Sequence, residues 1–305
     1  MLGRLKAHHT RWIVSGACLV SACGPSQGDG DHWSERPLAR AEGNPLIRPG
    51  MPGLEGHTGA NINGPSIIKV PDWVQNRLAK YYMYFAHHQG RYIRLALADE
   101  PAGPWRIHEP GVLRLEQTPA VEHIASPDVI VDDSARKIRM YFHGPTGDGS
   151  SQRTFMATSS DGLTFSSSDT ALGLPYFRVF RFDGAYFAIG KRGEEAGVLF
   201  RSDDGLGLFE EGQDLIPRMR HAALHRDGSR LIVFYSRIGD TPERLLRSVV
   251  QLEGQGRDGV AGPAAEVHRP EEPDEGAERP CRPSGLGAAE GPLQELRDRG
   301  HWGAA

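Results

Sequence analysis

Residues 126–165 contain Ser126-Pro127-Asp128-Val129-Ile130-Val131, then Ile138-Arg139-Met140-Tyr141-Phe142, then Thr154 to Ser159, and finally Ser160-Asp161-Gly162-Leu163-Thr164-Phe165. Three short apolar or aromatic runs are separated by polar turn residues. Each has strand length, and none is long enough to present the stripe of an amphipathic helix. The Asp-Gly pair suits a tight turn that needs positive φ. The stretch therefore predicts one small antiparallel sheet.

The same order of runs recurs on both sides. The leading segments are Gly64-Pro65-Ser66-Ile67-Ile68, Ser126 to Val131, Pro175-Tyr176-Phe177-Arg178-Val179-Phe180 and Arg220-His221-Ala222-Ala223-Leu224. Aromatic strands follow at 81–85, 138–142, 186–189 and 231–235. Third strands follow at 92–98, 154–159, 197–202 and 245–250. The turn Ser202-Asp203-Asp204-Gly205-Leu206 matches Ser159-Ser160-Asp161-Gly162-Leu163, and Pro101 to Trp105 holds that place in the first unit. Aligning the aromatics Tyr84, Tyr141 and Tyr186 gives a period of 40 to 60 residues with several strands per unit, which is the pattern of propeller blades. The fold expected is all-β, with a β-sandwich as the alternative.

The 305-residue chain has 35 Lys and Arg against 39 Asp and Glu, a formal charge of −4. So small a charge argues against a dedicated nucleic-acid binder. Hydrophobic residues at 38% exclude a wholly disordered chain. Three cysteines without CxxC spacing make no disulfide framework.

The two ends differ in kind from the repeats. Arg4, Lys6 and Arg11 precede the apolar run from Trp12 to Val20, and Val20-Ser21-Ala22-Cys23 follows. A basic region, a short apolar run and small residues before a cleavage point make a signal peptide. Residues 20–23 resemble the lipobox of bacterial lipoproteins. That resemblance implies removal of residues 1–22, lipidation of Cys23, a flexible tether over 23–45, and a lipid-anchored place in the bacterial cell envelope. Residues 253–305 are rich in Gly and Pro, with Trp302 as their only aromatic, and read as a linker, tail or incomplete blade.

Asn61-Ile62-Asn63-Gly64-Pro65-Ser66, the run Tyr81 to His88, and Ser126-Pro127-Asp128-Val129 ahead of Met140-Tyr141-Phe142 resemble the five-bladed β-propeller glycoside hydrolases. These include arabinanase/xylosidase-like, levanase-like and neoagarobiose-hydrolase-like groups. The resemblance covers about 45–252, as blades one to four over 46–252, with a weaker piece at Leu296-Arg297-Asp298. It implies a five-bladed propeller with four blades readable and a fifth incomplete, and so a truncated chain. It also implies a funnel lined by the inner strands, where a protonated acid and a second carboxylate cleave a glycosidic bond.

On that resemblance Asp128 is the carboxylate that orients the sugar and tunes the acid. The first-blade base is replaced, because Asn63 stands in Asn63-Gly64-Pro65, and Asn cannot act as a carboxylate base. Arg178 stands where the third blade usually brings a Glu, and a guanidinium suits an anionic sugar or a carboxylate partner. Substitutes for the lost pair are Glu243, in the fourth-blade loop, and His87 or His88 at a strand end, as some neoagarobiose-hydrolase-like members use a His acid. At most one of His87 and His88 can face the funnel, since strand side chains alternate. Asn63, His143, Arg178, His221 and Asp298 are the expected sugar-binding residues, and Glu122-His123 is a further loop candidate. No HxH or HExxH spacing points to a metal, so no cofactor is expected; a central metal ion held by the histidines is the alternative.

The sequence thus leaves two functions open: a glycosidase acting on a poly- or oligosaccharide, and a carbohydrate-binding or interaction propeller that has lost its acid/base pair. Its partners would be a carbohydrate and, through the anchor alone, a membrane. The anchor is directly testable: Cys23→Ala should abolish lipidation and release the protein from the membrane fraction. Unchanged fractionation, with no mass difference at the N-terminus, would refute it.

Overall fold

The structure is a computed structural model and describes residues 45–149, 151–252 and 260–268. It contains four antiparallel sheets of consecutive strands in a propeller arrangement. The first is β1 (Asn63–Lys69), β2 (Tyr81–Ala86), β3 (Tyr92–Ala98) and β4 (Arg106–Arg114). The second is β5 (Ala125–Asp132), β6 (Lys137–Gly144), β7 (Arg153–Ser159) and β8 (Ser166–Ser167). The third is β9 (Arg178–Phe182), β10 (Ala185–Arg192), β11 (Ala196–Ser202) and β12 (Glu210–Pro217). The fourth is β13 (Met219–Asp227), β14 (Arg230–Arg237) and β15 (Leu245–Gln251), with β16 (Val260–Ala261) and β17 (Ala265–His268) both pairing β15. β16 and β17 fall inside the span read from composition as tail or fifth blade; here they form the outer edge of the fourth sheet.

Inner, middle and third strands fall where the repeat put them. The middle strands carry long apolar runs because most of their residues are buried: in β2 every residue from Tyr82 to Ala86 is buried. One layer of side chains, including Tyr82, Tyr84, Leu95, Met140, Phe142 and Phe165, fills the space between the first two sheets. A second, with Tyr141, Phe177, Phe200 and Phe209, lies between sheets two and three, and a third, with Phe187, Ile189, Val233 and Tyr235, between three and four. The segment before β1 covers the remaining face of the first sheet, where Leu54 joins Met83, Phe85 and Trp105.

Polar ties repeat between the blades. Tyr84 Oη donates to the Gly162 carbonyl at 2.9 Å, and Tyr141 Oη to the Gly205 carbonyl at 3.0 Å. Each tie runs from a middle strand to the Asp-Gly turn of the next blade. Both glycines have positive φ, and a Cβ on Gly162 would lie 2.7 Å from the Tyr84 hydroxyl. Ser159 Oγ accepts from Gly162 N, and Asp161 Oδ1 from Leu163 N and Thr164 N; Ser202 and Asp204 do the same for the second turn.

Register corrects one alignment. Tyr84 lies opposite Ser66, Tyr141 opposite Asp128, Ile189 opposite Arg178 and Tyr235 opposite Ala222. The third-blade equivalent is therefore Ile189 and not Tyr186. Tyr186 serves a different bond: its hydroxyl donates to Asp132 Oδ2 at 2.9 Å. The same oxygen takes Arg139 Nη2 at 2.5 Å, while Oδ1 takes Ser134 Oγ and Ala135 N. Burial opposes the Asp132 charge, but these donors outweigh it and hold the carboxyl well below the usual carboxylate range.

Because the folded value is depressed, the stability Asp132 contributes is complete above its ordinary value near 4 and is lost as pH falls below it. Asp132→Asn should cost about 3–5 kcal/mol at neutral pH, since it leaves the Arg139 guanidinium buried without its partner. It should also flatten the acid limb of stability from about pH 4 downward. Chemical denaturation at several pH values measures both.

Candidate functional site

The inner strands β1, β5, β9 and β13 are sheet edges, so some backbone groups on them have no strand partner. Side chains of the preceding blade satisfy them. Ser66 Oγ accepts from Val129 N at 2.9 Å, and Asp128 Oδ2 accepts from Val179 N at 2.7 Å. Arg178 Nε donates to the Ala222 carbonyl at 2.8 Å. Ser66, Asp128 and Arg178 occupy equivalent positions. Two residues before each, the backbone turns left-handed at Gly64, Ser126 and Tyr176. In β1 and β5 the pairing register slips at that point.

Arg178 also reaches backward. Its Nη1 donates to the carbonyls of Ser126 at 3.3 Å and Pro127 at 3.2 Å, and stands 3.9 Å from Asp128 Oδ1. One buried guanidinium thus joins blades two, three and four. Burial pushes the Asp128 carboxyl up, against the opposing pull of Arg178 and the Val179 amide.

A cluster of rings surrounds Tyr176, which precedes β9. The His143 ring, at the end of β6, lies 4.0 Å from it between centroids, and the His221 ring of β13 lies 5.7 Å away. Lys191 Nζ, from β10, is 5.6 Å from the Tyr176 ring centre, and its residue is only 3% exposed. His143 is 2% exposed, and its Nδ1 has no hydrogen-bond partner among the described residues. Burial lowers the His143 pKa well below the ordinary imidazole value, and His123, Arg178, His221 and His88 lower it further. Burial and then the charges of Arg220, Arg178 and Lys191 bring His221 down to about 3. His88 is lowered by burial, and His123 by burial and by His88. The rings are therefore neutral near pH 7, and each can donate and accept a hydrogen bond.

Of the residues singled out from sequence, Asp128, Arg178, His143, His221 and His88 are brought together. His88 has an electrostatic effect on His143 and His221, and its backbone amide donates to Asn61 Oδ1 at 2.8 Å. His87 is half-buried at the end of the same turn. Asn63 is half-buried opposite Ala86, and the structure gives its side chain no bond to the cluster. Glu243, in the loop between β14 and β15, pairs with Arg220, the residue before His221 in the chain. Cys23 and Asp298 lie outside the described residues. Tyr176, Lys191 and Arg220 were not singled out as site residues. Lys191 is a charge at the end of the buried run Tyr186 to Gly190. Among the described residues, no three His, Cys, Asp or Glu side chains are placed to share a metal ion.

The chain is 34% identical over 274 residues to an uncharacterized protein of Acanthamoeba polyphaga mimivirus, a match that covers 78% of this chain and 76% of that protein. It belongs to that protein's family. No family model matches the chain. Solved structures that resemble it include a family 117 glycoside hydrolase of Zobellia galactanivorans, with TM-score 0.52 and 12% identity over 68% of this chain and 71% of that one. An endo-1,4-β-xylanase of Bacteroides thetaiotaomicron gives TM-score 0.52 and 14% identity over 70% and 80%. A GH43_1 enzyme of Xanthomonas citri complexed with xylotriose gives 0.51 and 14% over 69% and 75%. The fold of this family is thus the propeller of the family 43 and family 117 glycoside hydrolases.

The neutral state of the two imidazoles beside Tyr176 can be measured. In an NMR titration the ring signals of His143 and His221 should not move between about pH 5 and 8, the range in which an ordinary histidine changes charge. Arg220→Gln should shift the His221 midpoint upward, because a like charge that opposes imidazolium has been removed.

Proposed function

We propose that the protein is a glycoside hydrolase that acts on a poly- or oligosaccharide at the Tyr176 cluster. The observation that carries this reading is the convergence of Asp128, Arg178, His143, His221 and His88 at one end of the inner strands. Neutral imidazoles and an aromatic ring are groups that meet the hydroxyls and apolar faces of a sugar. Asp128, raised by burial yet held by Val179 N and Arg178, is the orienting carboxyl. Glu243 is a loop carboxylate that meets the cluster through Arg220, and His88 is the rim imidazole available for proton transfer.

A second reading is favoured by three particular observations. Asn63 stands where a base would be needed, Asp128 serves as a tie between blades, and Glu243 is engaged by Arg220. On that reading the propeller binds a carbohydrate without cleaving it. The envelope location and lipid anchor rest on the Cys23 reading and are proposed with it.

Incubation of the full chain with a panel of oligosaccharides, with detection of new reducing ends, separates these. For a glycosidase, Asp128→Asn and Glu243→Gln should each lower kcat by about a hundredfold or more while changing sugar affinity little. Binding without any turnover supports the second reading. Neither binding nor turnover across the panel would sink both.

A further inference from the structure

Tyr82, Tyr84, Tyr141, Tyr186 and Tyr235 are buried, and each of their hydroxyls has a protein partner. Those of Tyr84, Tyr141 and Tyr186 donate to the Gly162 carbonyl, the Gly205 carbonyl and Asp132 Oδ2. That of Tyr82 accepts from Leu78 N, and that of Tyr235 pairs with Ser248 Oγ. A phenol inside a protein costs stability unless it is bonded in this way. Tyr176 differs. Its contacts are with the His143 and His221 rings and with Lys191 Nζ, and among the described residues no group bonds its hydroxyl. The residue is half-buried, and its oxygen is not one of the sealed polar atoms such as His143 Nδ1. Burial raises the Tyr176 pKa, so the group keeps its proton at neutral pH and is a donor.

The position is a costly one for a tyrosine. Tyr176 holds φ at 66°, where blades one and two place Gly64 at 57° and Ser126 at 48°. Glycine takes this conformation freely, whereas a bulky side chain there is an outlier that the surroundings must hold. The His143 ring packs along the Tyr176 ring at 4.0 Å between centroids and 37° between planes, and His221 meets it edge-on at 5.7 Å and 63°. Blades two and four thus fix the ring and leave the hydroxyl over. A phenylalanine would pack as well, so the oxygen adds nothing to the fold.

We propose that Tyr176 is a specificity-determining residue whose hydroxyl donates to one hydroxyl of the bound saccharide, with the His143 and His221 rings fixing its place. The proposal rests on the carbohydrate reading above and deepens it. The donor serves no other group, so a matching sugar gains a hydrogen bond without breaking one inside the protein. A site that bonds a ligand hydroxyl rejects the analogue that lacks it.

The test is titration calorimetry of the full chain with xylotriose, cellotriose and galactotriose, beside melting curves. For whichever trisaccharide binds most tightly, Tyr176→Phe should weaken binding about tenfold. Its melting temperature should stay within about 1 °C, because no bond is removed from the fold. Tyr141→Phe, which breaks the tie to Gly205, should do the reverse, melting about 2–4 °C lower with binding unchanged. Among monodeoxy forms of the same trisaccharide, one should bind Tyr176→Phe and the unaltered protein equally. Three results each overturn this proposal and leave the carbohydrate reading standing: equal binding of the intact trisaccharide by both proteins, additive losses for every monodeoxy form, or a fall in melting temperature as large as that of Tyr141→Phe. No trisaccharide bound by the unaltered protein overturns both.

Discussion

The inner strand of each blade is a sheet edge turned toward the centre of the fold, and the rest of the arrangement depends on how its unpaired backbone groups are satisfied. A buried amide without a partner costs more than a hydrogen bond returns, so the neighbouring blade must supply one. Ser66, Asp128 and Arg178 supply it in turn, two to amide nitrogens and one to a carbonyl. The chain uses one repeat position for this task and fills it with three chemistries. Polarity reverses at Arg178, which donates where the other two accept, and that reversal brings a guanidinium into the centre.

A second set of ties acts further out, where Tyr84 and Tyr141 reach the Asp-Gly turns of the following blades. Between the two sets lie aromatic layers that are indifferent to rotation of one sheet on another. Directional bonds at both ends of the layer fix the blade angle that apolar packing leaves loose. The Asp132 cluster adds a third fastening between blades two and three, through Arg139 and Tyr186.

Much of this could be read from residues. The order of runs, the apolar middle strands and the Asp-Gly turns placed four sheets correctly, because burial and positive φ each leave a direct mark on residue choice. Alignment by aromatics went astray at Tyr186 because an aromatic reports burial, not register, and Ile189 fills the equivalent place equally well. Asp128, Arg178, His143 and His221 were legible as candidates since they stand at strand positions the repeat identifies. Lys191 was not: a charge at the end of an apolar strand has no meaning until the fold brings it against a ring from another strand. Arg220 could be read only as a neighbour of His221; its bond to Glu243 spans two elements that spacing does not relate.

The structural duty of Asp128 bears on what chemistry it can perform. A carboxylate has about four lone-pair directions over two oxygens. Oδ2 accepts from Val179 N, and Oδ1 faces Arg178 at 3.9 Å, a distance for attraction and not for a hydrogen bond. Directions remain for a sugar hydroxyl. The oxygen bound to Val179 is held by the backbone, however, and a nucleophile must be able to move onto the reacting carbon. The raised pKa shows that burial outweighs both favourable partners. A carboxyl that is held by the backbone, enclosed and raised in pKa by burial is suited to orienting a ligand. On the glycosidase reading, nucleophilic attack, or removal of a proton from an attacking water, must come from a side chain that does not also hold two blades together.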